Sequence, residues 1–248
     1  MTIKWLKWSL PAGVAATLAL SWFDVLPGAW QLHGIVLGEE GRQAWLRERH
    51  ADRRLVEFRR ERARVAEGSV VFLGASTVER FPLERCFPDK PALDRGVHGD
   101  TVANLTERLE SSLPERAPAG FVLAVGANDL RRERGRPAAI RDAYAVLLTR
   151  LASLQPGKPV ALLGVHPTRD TTAREREGLE RLNGALARIA REHGAAFVAA
   201  DRPPLSSPDG RLAEEFSSDP VHLNLSGYRQ LARWIAAEGG DVGTLLSP

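Results

Sequence analysis

Two short apolar runs constrain this chain more than any other feature. Val70-Val71-Phe72-Leu73 and Phe121-Val122-Leu123-Ala124-Val125 each stop at a glycine, Gly74 and Gly126. Unbroken runs of β-branched, aliphatic and aromatic residues describe strands buried on both faces, as a parallel sheet requires. The first run leads into Ala75-Ser76-Thr77 and the second into Ala127-Asn128-Asp129. Polar side chains are thus delivered to the carboxyl ends of buried strands, where open α/β sheets bind their ligands. Ser76 has two readings at this point: an N-cap for the next helix, a role serine favours, or a hydroxyl presented for chemistry.

The rest of the globular part repeats the alternation. Ala92 to Thr101 reads as a short strand feeding a Gly-rich loop, and Pro159 to Val165 and Ala195 to Ala199 supply two more strands. Helical patterns run through Val102, Leu105 and Leu109, from Pro137 to Leu154, from Ala173 to His193, and through Leu231, Trp234 and Ile235. Strands separated by helices at this spacing mean βαβ units. The expectation is a three-layer α/β/α sandwich on a mostly parallel five-stranded sheet, spanning residues 68–248.

Before that domain lie two segments of different character. From Ser9 to Leu32 the only charged side chain is Asp24, and Trp8, Trp22 and Trp30 lie within or beside the stretch. A helix from Trp8 to Trp30 would rise about 33 Å, near the thickness of a bilayer core, with indoles where interfacial belts sit. Residues 1–32 therefore read as an N-terminal hydrophobic helix that anchors the chain in a membrane. A cleaved signal segment and a buried soluble helix are the rival readings. Lys4 and Lys7 before the span and Arg42, Arg47 and Arg49 after it leave its orientation undecided by charge. The expected location is nevertheless membrane-anchored with the globular domain extracytoplasmic, periplasmic in a bacterium. Residues 33–67, dense in Arg and Glu, read as a charged helical connector.

Charge and cysteine content exclude several classes. The 34 Lys and Arg residues are intermixed with 31 Asp and Glu, giving a net charge of +3. No basic stripe is set apart for nucleic acid. Cys86 is the single cysteine, so neither an intramolecular disulfide nor a cysteine-based zinc site is possible. Nothing fixes His98, His166 and His222 as a metal cluster, and no metal or organic cofactor is expected. The oligomeric state is not legible.

Three further features follow the strands. Gly99, in Arg95-Gly96-Val97-His98-Gly99-Asp100-Thr101, is either a turn glycine or a place where a ligand approaches the main-chain N–H. Asn128 is either a turn residue or an amide donor facing the crevice. Asp219 stands three residues before His222 on a loop entering the last helix. A carboxylate so placed can turn toward the imidazole and fix its tautomer, the orienting role of the acid in a nucleophile–base–acid triad.

Taken together, these blocks resemble the SGNH hydrolases, also called the GDSL esterase/lipase family, over roughly Val70 to Ala237. The resemblance implies a flavodoxin-like SGNH hydrolase fold. It also implies Ser76 as nucleophile, Gly99 and Asn128 as oxyanion donors, and Asp219 and His222 as acid and base. One departure stands out, for the first block usually reads Gly-Asp-Ser and here reads Gly74-Ala75-Ser76. The resemblance further implies a serine esterase or acyl hydrolase that cleaves a carboxylic ester, lipid or O-acyl carbohydrate, through an acyl-enzyme. An O-acyltransferase on the same site and an inactive membrane-tethered binding protein are the rivals. The Gly-x-Ser-x-Gly elbow is absent, since position 78 is Val.

Overall fold

The computed structural model of the chain describes residues 30–132 and 137–247. They belong to two units, divided between Asp52 and Arg53. The described part of the first unit is helical. Helix α1 (Trp30–Glu61) starts there and is interrupted at Gly38, whose φ of 68° lies in the left-handed region open to glycine. Within this unit Glu39 accepts hydrogen bonds from Arg42, and the Arg49 guanidinium lies 5.4 Å from the Trp45 ring centre. Residues 1–29 of the expected anchor lie outside the described residues. Among the described residues no helix is long and apolar enough to cross a membrane.

The second unit carries the sheet. Its strands are β1 (Val70–Gly74), β2 (Ala92–Gly96), β3 (Gly120–Ala124), β4 (Val160–Leu163) and β5 (Ala196–Val198). They lie in the order β2-β1-β3-β4-β5, and every pairing is parallel. After β1 come two one-turn helices, α2 (Ser76–Glu79) and α3 (Leu83–Cys86). Then follow α4 (Val102–Ser112), α5 (Ala127–Arg132), α6 (Pro137–Leu154), α7 (Ala173–Glu192), α8 (Leu225–Glu238) and α9 (Gly240–Leu246).

Period-two alternation along β1 divides the core. Val71 and Leu73 pack with Leu105 and Leu109 of α4, Leu147 and Leu151 of α6, and Leu182 and Leu186 of α7. Val70 and Phe72 point the other way, to Phe81, Leu231 and Ile235 of α8, and Val242 of α9. Each such buried side chain contributes about 1.5–3 kcal/mol. This is the three-layer arrangement expected, with the sheet parallel throughout.

The register sets the site. Gly74 lies beside Gly96 on one side and Ala124 on the other, so β1, β2 and β3 end level. The backbone there is tight enough to require glycine. A Cβ on Gly96 would sit 2.1 Å from the Glu79 nitrogen, and one on Gly74 would sit 2.1 Å from the Ala124 oxygen. Bare glycine at 96 lets α2 lie directly against the end of β2.

The charged stretch after residue 33 is helical to Glu61, with a 3₁₀ turn at Arg62–Arg64. Within the second unit its last turns bury Phe58 completely. The guanidinium groups of Arg54, Arg95 and Arg108 stand 4.7, 4.6 and 5.8 Å from the Phe58 ring centre. Arg54 also donates to Asp94 at 2.8 Å and to the Gly96 oxygen at 3.2 Å, which ties these last turns, within the second unit, to the end of β2.

Candidate active site

Ser76 opens α2 two residues after the end of β1. The N-cap position is taken by Ala75, and no side-chain cap bond is made there. The serine is therefore not the helix cap that the sequence alone allowed. Ser76 is half-buried, and among the described residues its hydroxyl has no hydrogen-bond partner, His222 included. The main-chain N–H of Ser76 likewise meets no acceptor among the described residues.

The loop after β2 is held against Ser76 from several sides. Val97 N–H donates to the Gly74 oxygen at 3.0 Å, and His98 N–H donates to the Glu79 carboxylate at 2.5 Å. Gly99 follows at φ 85°, so glycine is required by its backbone conformation. Its carbonyl accepts from Arg132 at 3.0 Å, while its N–H has no acceptor among the described residues. Asn128, in the first turn of α5, donates Nδ2–H to the Asp100 oxygen at 2.9 Å. That bond reaches across to another loop, so Asn128 is not a simple turn residue. An amide nitrogen carries two hydrogens, and the second has no partner among the described residues.

Asp129, next to Asn128, accepts from Val102 N–H at 3.1 and 3.2 Å with its two oxygens. A carboxylate is thereby placed at the N-terminus of α4, where the exposed amides favour negative charge. Thr101 caps the same helix, accepting from Asn104 N–H at 3.2 Å. Behind this loop lies a buried ion pair. Arg108 donates from Nε to Asp100 at 2.6 Å, from Nη1 to Ser112 Oγ at 2.7 Å, and from Nη2 to the Gly74 and Arg95 oxygens at 3.0 and 3.1 Å. Burial works against both charges, pushing the Asp100 carboxyl up and the Arg108 guanidinium down, and their contact opposes this. One side chain thus ties the ends of β1 and β2 to the Gly99 loop.

Asp219 and His222 meet as the sequence spacing suggested. Asp219 Oδ1 accepts the main-chain N–H of Val221 at 2.8 Å and of His222 at 2.9 Å. Its Oδ2 stands 2.8 Å from His222 Nδ1. Burial works against the ionised carboxyl, but the two amides and the imidazole outweigh it and hold Asp219 well below the usual carboxylate range. An ionised carboxylate can only accept, so Nδ1–H donates to it, and in the neutral tautomer this fixes Nε2 as the nitrogen with the lone pair. Arg80, whose N–H donates to the Ser76 oxygen at 3.0 Å, reaches Asp219 with its guanidinium at 3.3 Å. The rings of His98 and His222 are 6.1 Å apart, which brings the last loop over the Gly99 loop.

All five residues singled out in the sequence therefore lie on loops or in the first turns of helices at one end of the sheet, linked by these contacts. Arg108, Asp100, Asp129 and Arg80 were missed. Arg108 had a signal, since it shares the Val102-Leu105-Leu109 face of an amphipathic helix where an arginine is out of place. Among the described residues no group of three His, Cys, Asp or Glu side chains is placed to hold a metal ion.

Comparison with known proteins adds the context. Residues 80–230 match the GDSL-like Lipase/Acylhydrolase family. The matched span holds Gly99, Asn128, Asp219 and His222 and begins just after Ser76. No curated protein matches the chain. Among solved structures, a Streptococcus pneumonia protein provisionally described as a platelet activating factor is similar at 24% identity and a TM-score of 0.72, over 79% of this chain and 94% of its own. A GDSL-like lipase from Bacteroides thetaiotaomicron is similar at 22% identity and a TM-score of 0.61, over 77% and 98%. An acetyl xylan esterase variant from Geobacillus stearothermophilus follows at 19% identity and a TM-score of 0.53, over 71% and 96%. At these identities the likeness is one of fold.

Proposed function

Since the chain belongs to the GDSL-like lipase/acylhydrolase family, and is with it a hydrolase acting on carboxylic esters, we propose that Ser76, His222 and Asp219 carry the reaction through an acyl-enzyme. The observation that carries this reading is the Asp219–His222 contact, which leaves Nε2 of His222 as the basic nitrogen. His222 takes the Ser76 proton as Oγ attacks the ester carbonyl, and then returns it to the departing alcohol. Asp219 keeps the ring in its tautomer and stabilises the imidazolium that forms. A water molecule repeats the attack on the acyl-enzyme, and Ser76 leaves with the returned proton. Ser76 and His222 share no hydrogen bond among the described residues, and a nucleophile–base contact of this kind often tightens only in the complex with substrate.

The N–H groups of Ser76 and Gly99 and the second Asn128 amide hydrogen supply three donors for the developing oxyanion. All three lack acceptors among the described residues, which leaves them available where negative charge appears. A tether through residues 1–32 is part of the same reading, supported by the apolar, tryptophan-flanked stretch from Ser9 to Leu32.

Stopped-flow hydrolysis of 4-nitrophenyl esters tests the chemistry. The wild-type chain should release a burst of nitrophenolate close to one equivalent per folded molecule when deacylation is slow, and Ser76→Ala should show neither burst nor turnover. Unchanged turnover in Ser76→Ala would remove the serine from the reaction.

A further inference from the structure

His166 has no part in the chemistry above, yet it is held on the same rim with unusual care. It follows β4, and the residue before it is pinned in both directions by Asn183 of α7. Asn183 accepts from Val165 N–H at 2.8 Å and donates to the Val165 oxygen at 2.8 Å. Asn183 is buried, so this double bond fixes the backbone from which the imidazole projects. Arg169 N–H donates to the Pro220 oxygen at 2.8 Å, binding the same loop to the Asp219–His222 segment.

The ring's tautomer follows from its partner. His166 Nδ1 lies 2.9 Å from the Pro167 carbonyl oxygen. A carbonyl oxygen only accepts, so Nδ1 carries the proton and Nε2 is a bare acceptor. Burial and the nearby His222 disfavour the charged ring, in keeping with a neutral imidazole. Among the described residues Nε2 has no protein partner.

His166 also lines a cavity of about 80 Å³. Its apolar walls are Leu130, Val165 and Leu179, with Thr168 and Thr171 as the neighbouring hydroxyls. Ala127 and Leu130 of α5, the helix that also carries Asn128, form part of its lining. The two threonines are already engaged, Thr171 Oγ1 accepting from Thr168 N–H at 2.8 Å and Thr168 Oγ1 lying 2.7 Å from Asp170. Glu175, whose Oε2 accepts from Thr172, and Arg131 also line it, and the imidazole Nε2 is the uncharged acceptor that a bound molecule can use.

We propose that His166 determines specificity by accepting, at Nε2, a hydrogen bond from a hydroxyl carried by the ester substrate close to its reacting carbonyl. The proposal rests on the acyl-enzyme reading, since it assumes that the ester is bound at Ser76. Its physical content is an asymmetry between substrates. An ester bearing the hydroxyl gains a partner for Nε2, whereas its deoxy analogue removes that nitrogen from water and offers nothing in return. A net hydrogen bond of about 1.4 kcal/mol corresponds to a tenfold difference in kcat/KM.

The test compares two matched ester pairs on the full chain. One pair carries the hydroxyl on the acyl side, a glycolyl against an acetyl ester of the same alcohol. The other carries it on the alcohol side, the monoacetate of ethylene glycol against ethyl acetate. In at least one pair the wild type should favour the hydroxyl ester by about tenfold in kcat/KM, His166→Leu should lose that preference, and His166→Gln, which keeps an acceptor, should retain much of it. The deoxy ester should turn over no more slowly in His166→Leu than in the wild type, because leucine has no nitrogen to strip of water. Equal hydroxyl preference in wild type and His166→Leu for both pairs would overturn the proposal. So would nitrogen NMR of the wild-type chain showing the proton of His166 on Nε2, a measurement independent of how the variants fold. Ser76→Ala is run alongside: if it hydrolyses these esters normally, the acyl-enzyme reading fails and the proposal with it. If Ser76 is required but His166 makes no difference, His166 alone loses its role.

Discussion

The side-chain amide of Asn128 is bonded to the main-chain oxygen of Asp100 at 2.9 Å. The residue assigned to the oxyanion thus also holds the loop that presents Gly99. Asn128→Ala removes both contacts. Loss of one oxyanion donor typically lowers kcat by about 10²- to 10³-fold, while loss of one neutral hydrogen bond costs about 0.5–1.5 kcal/mol of stability. Measuring kcat and urea unfolding on the same preparations should show the large kinetic loss beside the small thermodynamic one. Normal turnover in a destabilised protein would confine Asn128 to the loop.

The Arg108–Asp100 pair makes a stability prediction. Both side chains are more than nine-tenths buried, so Arg108→Met leaves a carboxylate without its partner. Breaking a buried pair in this way costs about 3–5 kcal/mol. The double variant Arg108→Met/Asp100→Asn should recover part of that loss, because no charge is then left buried. Chemical denaturation of the single and double variants checks the order. A double variant less stable than Arg108→Met would show that the unpaired Asp100 carboxylate is not what destabilises the single variant.

Gly96 makes a steric one. A Cβ at this position would lie 2.1 Å from the backbone nitrogen of Glu79, and backbone gives way less readily than a side chain. Gly96→Ala should therefore push α2 from the end of β2, destabilise the protein by about 1–3 kcal/mol and displace Ser76. Thermal unfolding and esterase rates should fall together. A fully active, fully stable Gly96→Ala would show that α2 shifts without consequence.

Asp219 gives a pH dependence whose sign can be worked out. Its carboxyl ionises well below the usual value in the folded chain, so near that usual value, about 3.9, the unfolded chain binds a proton that the folded chain does not. The stability that Asp219 contributes is present above the usual value and is lost as pH falls through the folded one. In Asp219→Asn this part of the acid slope should be missing, so the stability difference between the two proteins should shrink below about pH 4. Unfolding curves taken from pH 5 downward test this. A constant difference across that range would mean that the carboxyl is not shifted.

The strands were legible because burial on both faces explains runs such as Val70 to Leu73 that stop at a glycine, and the helices followed from apolar spacing. Of the five candidate site residues, Ser76 and Asn128 were legible as polar side chains delivered to strand ends, Gly99 as a glycine in the loop after a strand, and Asp219 and His222 by their spacing. What each does was less so. Ser76 could be separated from a helix cap only once the backbone placed Ala75 at the N-cap. Arg108 stood out only as an arginine on an apolar helix face, and its role did not, because its partners come from β1, β2 and the Gly99 loop, 8 to 34 residues away. Long-range pairing of this kind leaves no local pattern. The tautomer of His166 depends on a hydrogen bond that no sequence spacing encodes.

The central claim is that Ser76 is the nucleophile and His222 its base, and covalent labelling tests it most directly. A fluorophosphonate reagent should modify the wild-type chain once, with peptide mapping by mass spectrometry placing the adduct on Ser76. His222→Ala should react far more slowly, and Ser76→Ala not at all. An adduct on another residue, or labelling of Ser76→Ala at the wild-type rate, would contradict the account.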